Sequence, residues 1–209
     1  MTHVYSDILR DIDTYYSAKI REHGPSSRGV DWNSEEGQMV RFAQLMKIVV
    51  GNDEFSINDL GCGYGALLSF LQRGFAGYSY RGIDVSQDMI RVARAQYGES
   101  DRITFEVSSS IRSEADYAVA SGVFNVKLKH DEEEWWSYVT STLDMMDATS
   151  RKGFAFNCLT KYSDSERMRD DLFYADPCRM FDWCKRKYSR QVALLHDYGL
   201  YEFTILVRK

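Results

Sequence analysis

Along the middle of the chain the apolar positions alternate between a helical period and short continuous runs. After Ser34, which is placed to cap a helix, Met39, Phe42, Ala43, Met46 and Val50 recur at three- and four-residue spacing, as on a helix with one apolar face. Residues 55–60 and 78–83 then read as runs of strand length bounded by turn formers. Between the second run and the third, 103–107, Ser86 caps a helix carrying Met89, Val92, Ala93 and Gln96 on one side. Two more runs, 117–120 and 154–159, flank a helix that starts at Asp131, has Glu134 at the capping-box position, and carries Trp135, Val139, Leu143 and Met146 as its core stripe. This βαβ rhythm predicts a parallel sheet with helices on both faces. The end breaks the pattern: runs 191–195 and 201–207 are joined by five residues, too few for a crossover helix, so they must pair antiparallel.

The sum is an α/β fold with a seven-stranded, mostly parallel, Rossmann-like sheet closed by a C-terminal hairpin. Residues 1–33 stand outside it. They are largely polar with interspersed aromatics, and Gly24-Pro25-Ser26-Ser27 divides them into a helical part and a loop, which reads as a cap over a domain spanning 34–209. A chain of 209 residues suits one such domain. Its net charge of −5 provides no basic field for a polynucleotide, and the run Arg179, Lys185, Arg186, Lys187, Arg190 reads as a solvated helix face. Cys62, Cys158, Cys178 and Cys184 include no CxxC pair, and His3, His23, His130 and His196 lack ligand spacing, so no metal is expected and reduced thiols in a cytoplasmic protein are. No apolar run approaches the roughly 20 residues of a membrane span, and the chain does not open with a basic stretch followed by an apolar one.

The candidate chemistry lies in Ile57-Asn-Asp-Leu-Gly-Cys-Gly-Tyr-Gly-Ala-Leu67, a strand that turns through three glycines into a helix. Such a turn admits a ligand to the backbone. For pyrophosphate it relies on N–H groups and the helix dipole, and Asp59 beside it would repel that ligand but welcome a cation. The relaxed dinucleotide fingerprint Gly61-x-Gly63-x-x-Ala66 keeps a nicotinamide oxidoreductase as an alternative.

With Gly82-Ile-Asp84-Val-Ser86 and the terminal hairpin added, the chain from about Ser34 onward resembles the class I S-adenosylmethionine-dependent methyltransferases. The resemblance implies transfer of a methyl group from S-adenosylmethionine, leaving S-adenosylhomocysteine. It assigns Asp59, Gly61 and Gly63 to the methionine portion of the cofactor, Asp84 to the ribose hydroxyls and Met89 to the adenine, with Cys62, Tyr64 and Val85 as further cofactor contacts. Ser109 stands where many members have an aspartate for the adenine amino group, and the Ser110 backbone N–H is a second candidate for that role. Ser121 and Gly122, after the fourth strand, fall where members border the cofactor, and Asn125 falls on the acceptor side. Tyr16 and Trp32 are further acceptor-site candidates, together with Tyr15 as a possible lid, and Arg28 or Arg41 for an acidic acceptor. His196, at the end of a strand running with the parallel set, is the candidate general base. The acidic charge favours a small metabolite as acceptor, with a protein or nucleic acid as the alternative.

Overall fold

Among the described residues, four of the six helices begin where a side chain satisfies the first free N–H groups. Ser34 Oγ accepts from Gly37 N, Ser86 Oγ from Met89 N, Asp131 from Glu133 N and Glu134 N, and Asp176 from Cys178 N and Arg179 N. The computed structural model describes residues 5–51 and 53–209, with helices α1 (Ser6–His23), α2 (Glu35–Leu45), α3 (Ala66–Gly74), α4 (Gln87–Tyr97), α5 (Glu132–Ala148) and α6 (Pro177–Lys187). The strands are β1 (Phe55–Leu60), β2 (Tyr78–Asp84), β3 (Ile103–Val107), β4 (Ala115–Ala120), β5 (Ser150–Thr160), β6 (Tyr174–Ala175), β7 (Gln191–Leu195) and β8 (Glu202–Arg208).

The sheet runs β3-β2-β1-β4-β5-β8-β7, which is the expected seven, and the two-residue β6 adds an eighth strand beside β5. β1 pairs in parallel with both β2 and β4, while β8 pairs antiparallel with β5 and β7 as the short C-terminal connection requires. Chain order reverses between β1 and β4, and the crevice beyond their carboxyl ends is where an open α/β sheet offers a ligand site.

Trp135, Val139, Leu143 and Met146 of α5 are fully buried against Phe154, Phe156 and Phe203 on one face, as their spacing predicts. On the other face, α2, α3 and α4 bury Phe42, Leu45, Leu67, Leu68 and Met89 against Ile57, Tyr80 and Val119. The α2 stripe differs from expectation: Gly37, Gln38, Phe42 and Leu45 are buried, Ala43 is exposed, and Val50 lies beyond a 3-10 turn and is 67% exposed. The charged segment after β5 contains a 3-10 turn at Ser165–Arg167 and then β6 before α6 starts.

Helix α1 belongs to neither face alone. Its Ile8 and Ile12 join the α5 side of the core, and its Ile20 joins the α2–α4 side, so the helix crosses the carboxyl rim of the sheet. Among the described residues no helix is long and apolar enough to cross a membrane.

Asp131 holds the first turn of α5 with two hydrogen bonds from one carboxylate oxygen, at 3.0 and 2.8 Å. Its replacement in Asp131→Ala is expected to cost about 1 kcal/mol, seen as a thermal midpoint lower by roughly 2–4 °C in calorimetry.

Candidate functional site

The crevice at the β1/β4 switch point is a cleft of about 920 Å³, counted out to its open mouth. Its floor is the glycine turn. Gly61 and Gly63 sit at φ +70° and +55°, which an L side chain rarely adopts, and a Cβ on Gly61 would stand 2.4 Å from a Val123 methyl, one on Gly63 2.9 Å from a Val30 methyl. The turn is fastened to the next strand: Gly61 N and Cys62 N both donate to Ile83 O, and Gly63 N donates to Asp84 Oδ2 at 2.9 Å.

Asp84 ends β2 and is buried. Its second oxygen accepts from Ser86 N at 2.8 Å. Burial pushes its carboxyl up to about 6, against the lowering effect of those backbone N–H groups. Each oxygen uses one lone pair on the protein, so each keeps an acceptor site for a ligand hydroxyl.

Asp59, the penultimate residue of β1, is 2% exposed. Its Oδ2 accepts from Tyr80 OH at 2.7 Å, and Oδ1 makes no hydrogen bond among the described residues. Burial raises its carboxyl to about 7, the Tyr80 bond opposes that, and nearby Asp84 adds to it. A cation would relieve this pair of buried carboxylates. The residues therefore fit a ligand that brings a positive charge to Asp59 and vicinal hydroxyls to Asp84.

The remaining candidates divide. Cys62, Tyr64, Val85, Met89, Ser109, Ser121, Gly122, Tyr16 and Trp32 all line the cleft with Asp59, Gly61, Gly63 and Asp84. Burial pushes the Cys62 thiol well up, which keeps it protonated and makes it wall rather than nucleophile. Ser110 does not line the cleft; its N–H donates to Ser108 Oγ at 3.1 Å and is already used. Asn125 also lies outside the lining. It is 5% exposed, accepts from Leu159 N at 3.0 Å and donates to Glu202, so it fastens the loop after β4 to β5 and β8. His196 stands on the rim as expected but is exposed, its ring 6.1 Å from those of Tyr162 and Phe203, and it does not line the cleft.

Arg41 is not available to an acidic acceptor. It donates twice to the fully buried carboxylate of Glu202, at 2.8 and 2.9 Å, and its guanidinium lies 3.8 Å from the centre of the Trp32 ring. On its other side the indole stands so close to Gly122 that a Cβ there would be 2.5 Å from it.

Several lining residues carry no sequence signal that singles them out. Gln38 of α2 is 3% exposed, and its Oε1 accepts from Tyr64 OH at 3.1 Å, leaving the amide nitrogen as a donor. Leu9 and Ile12 come from the face of α1 that also carries the expected Tyr16, and Tyr138 and Thr142 come from α5. Burial pushes Tyr16 far up and Tyr138 to about 12, so both phenols are neutral. Asn157, fully buried in β5, could have been noticed as a polar residue in an apolar strand; its Oδ1 accepts from Gly122 N at 2.7 Å and sets the turn after β4.

The profile of the methyltransferase domain matches residues 58–144, which span the glycine turn, Asp84 and most of α5. A protein of Mycobacterium tuberculosis (strain ATCC 25618 / H37Rv), Rv1506c, which is named as a candidate methyltransferase, is 61% identical over 165 residues, covering 78% of this chain and 99% of its own. Among solved structures, the DhpI-SAM-HEP complex superposes with a TM-score of 0.68 at 13% identity over the whole of both chains. Magnesium protoporphyrin IX methyltransferase (ChlM) from Synechocystis PCC 6803, solved with bound SAM, does so with a TM-score of 0.56 at 12% identity, covering 99% of this chain and 88% of that one. At those identities the structures speak for the fold, and the bacterial relative speaks for the family. By that relative and the matching domain profile this chain belongs to the methyltransferases, and its sheet order is that of a Rossmann-like methyltransferase fold.

Proposed function

We propose that the cleft binds S-adenosylmethionine and that the enzyme methylates a small molecule held under α1. The observation that carries this reading is the pair of buried carboxylates flanking the glycine turn, one with an unpaired oxygen and one with lone pairs to spare. Asp59 faces the ammonium group, and the free amide nitrogen of Gln38 is the donor on the same wall for the carboxylate beside it. Asp84 accepts the ribose hydroxyls. Val85, Met89 and Ser109 surround the adenine, and Ser121 and Gly122 border the transferred group.

When bound, S-adenosylmethionine supplies a methyl group already activated for displacement, so the protein's task is alignment and exclusion of water. Residues 1–33 act as the cap that does both. Leu9, Ile12 and Tyr16 roof the cleft, and Trp32, fixed between Gly122 and the Arg41–Glu202 pair, forms the wall on which the acceptor rests. A roofed cleft admits a small acceptor and obstructs a polymer, and this supports the small-molecule reading. The dinucleotide alternative falls with the family.

Calorimetric titration with S-adenosylhomocysteine, with NAD as control, is expected to show binding of the first alone; binding of NAD alone would overturn the cofactor reading. Methyl-labelled S-adenosylmethionine offered with small-molecule extracts, with RNA and with protein is expected to label the first only. Asp84→Asn keeps the shape of the side chain and removes its charge, and is expected to weaken S-adenosylhomocysteine binding about tenfold to a hundredfold in the same titration.

The pH dependence follows from Asp59. Its folded value of about 7 lies above the unfolded 3.8, so it is largely protonated below neutrality and attracts the ammonium only as pH rises. Affinity for S-adenosylhomocysteine is therefore expected to rise between pH 6 and 8 in wild type and to lose that slope in Asp59→Asn. The same shift makes the ionised form a burden on the ligand-free fold, absent near pH 4 and complete above 7. Asp59→Asn should accordingly melt higher than wild type at pH 8, a gain that vanishes at pH 4.

A further inference from the structure

Helix α1 spans the mouth of the cleft like a strap and is tied down on both banks. Toward α5, Tyr5 OH bonds Ser137 and Ser141 at 2.9 and 3.0 Å. Toward α4, Ser17 Oγ meets Ser86 Oγ at 2.7 Å, and Arg21 pairs with Asp88 at 2.6 Å. The inner face of the strap, Leu9, Ile12 and Tyr16, lines the cleft, so lifting α1 widens the way to its floor.

The remaining tie is of a different kind. His130, in the loop after β4, is 7% exposed and lies between two carboxylates: Nδ1 is 3.0 Å from Glu134 of α5, and Nε2 is 3.3 Å from Asp11 Oδ2 of α1. Its backbone is held by a bond from His130 N to Lys127 O. The charged groups facing it are Asp11 and, beyond it, Arg10 on α1, Lys129 on its own loop and Glu134 on α5; Lys129 reaches Asp11 Oδ2 at 2.9 Å from an exposed position. Asp11 Oδ2 and His130 Nε2 are buried atoms for which no hydrogen bond of good geometry is formed.

Two carboxylates around one imidazole make its proton count decisive. An imidazolium has a donor for each carboxylate, whereas a neutral ring has one donor and turns a lone pair toward the other carboxylate. The remaining ties, hydroxyls and an arginine paired with an aspartate that its arginine partners hold below the usual carboxylate range, keep their charge across neutral pH. Imidazole is the side chain suited to change charge there.

We propose that His130 is a positioning residue whose imidazolium latches α1 to α5 through Asp11 and Glu134, and that its protonation governs how fast the cofactor product exchanges through the cleft. The inference rests on the cleft being the cofactor site. Releasing the latch opens the same gate for entry and for exit, so it raises both rates and leaves the equilibrium nearly unchanged. Asp59 acts in the other manner, on the affinity itself.

The test is stopped-flow binding of S-adenosylhomocysteine, followed by tryptophan emission since Trp32 lines the cleft, for wild type, Asp11→Asn and His130→Asn between pH 6.0 and 8.5. At pH 6.0 each variant is expected to show association and dissociation both faster than wild type by about fivefold, the loss of one ion pair. The His130→Asn ratios should fall toward one by pH 8.5, those of Asp11→Asn should fall to the share due to its Lys129 pair, and Asp59 cancels from both. Ratios near one at pH 6.0, or a change in only one of the two rates, would overturn the latch. If His130→Asn does not fold, Asp11→Asn on the strap decides alone. If wild type shows no S-adenosylhomocysteine binding, the cofactor reading fails, and the latch is judged by hydrogen exchange over residues 6–23. A speeding of exchange in Asp11→Asn over wild type that is larger at pH 6.0 than at pH 8.5 sustains it, and an equal ratio at the two pH values refutes it.

Discussion

The carboxylate of Asp84 is the contact on which the site depends. It ends β2, receives Gly63 N on one oxygen and Ser86 N on the other, and so fastens the glycine turn of β1 and the first turn of α4 to one point. Taking that charge out of water is costly, as its raised pKa records, and the two N–H groups offset part of the cost. What they leave over is a pair of acceptor positions aimed at the crevice. The same economy governs Asp59, where a single phenol bond from Tyr80 leaves one oxygen waiting for a partner. The floor is thus built with unfinished electrostatics, complete only with a cationic ligand that also carries hydroxyls.

The walls of the cleft are built on a buried ion pair. Glu202 of β8, fully enclosed, fixes Arg41 of α2, Arg41 supports Trp32, and Trp32 bears on Gly122 after β4. Four segments remote in sequence are joined in this chain. Ion pairs of this kind contribute little net stability compared with well-packed apolar residues, but they hold a geometry, because removing either partner leaves a buried charge alone. Further out, Asp31, held at φ +59°, accepts from Tyr15 OH and pairs with Lys19 of α1 and Arg169 of the β5–β6 connection. The strap, the Trp32 loop and the connection after β5 are therefore linked around one opening.

Much of the scaffold was readable from local chemistry. Ser34, Ser86 and Asp131 cap their helices because a short side-chain oxygen before an apolar-periodic segment has few better partners than the free N–H groups. The short link between β7 and β8 left only antiparallel pairing. The glycine turn and Asp84 were legible because the φ values and the strand-end carboxylate are demands on single residues, visible wherever the residues stand. The α2 stripe was misphased, since Ala43 fits either side of a helix and the loss of helical geometry at Met46 cannot be seen in a hydrophobic pattern.

The sequence by itself determined the sheet, its order of strands and helices, the floor of the cleft and the sign of charge awaiting a ligand there, because each follows from spacing, capping or the conformational needs of one residue. Only the tertiary structure decided which polar side chains face that floor and which are consumed elsewhere. Asn125 and Arg41, plausible acceptor contacts in the linear chain, are bound to Glu202, which arrives from a strand some 77 and 161 residues later, and the Ser110 N–H is taken by Ser108. His196 reaches the rim but not the cleft, while His130, unremarkable in the chain, meets Asp11 from 119 residues away by the crossing of α1. The reason is physical: a hydrogen-bonding group has no fixed role until folding selects its partner, and that choice is made by segments the local sequence cannot see.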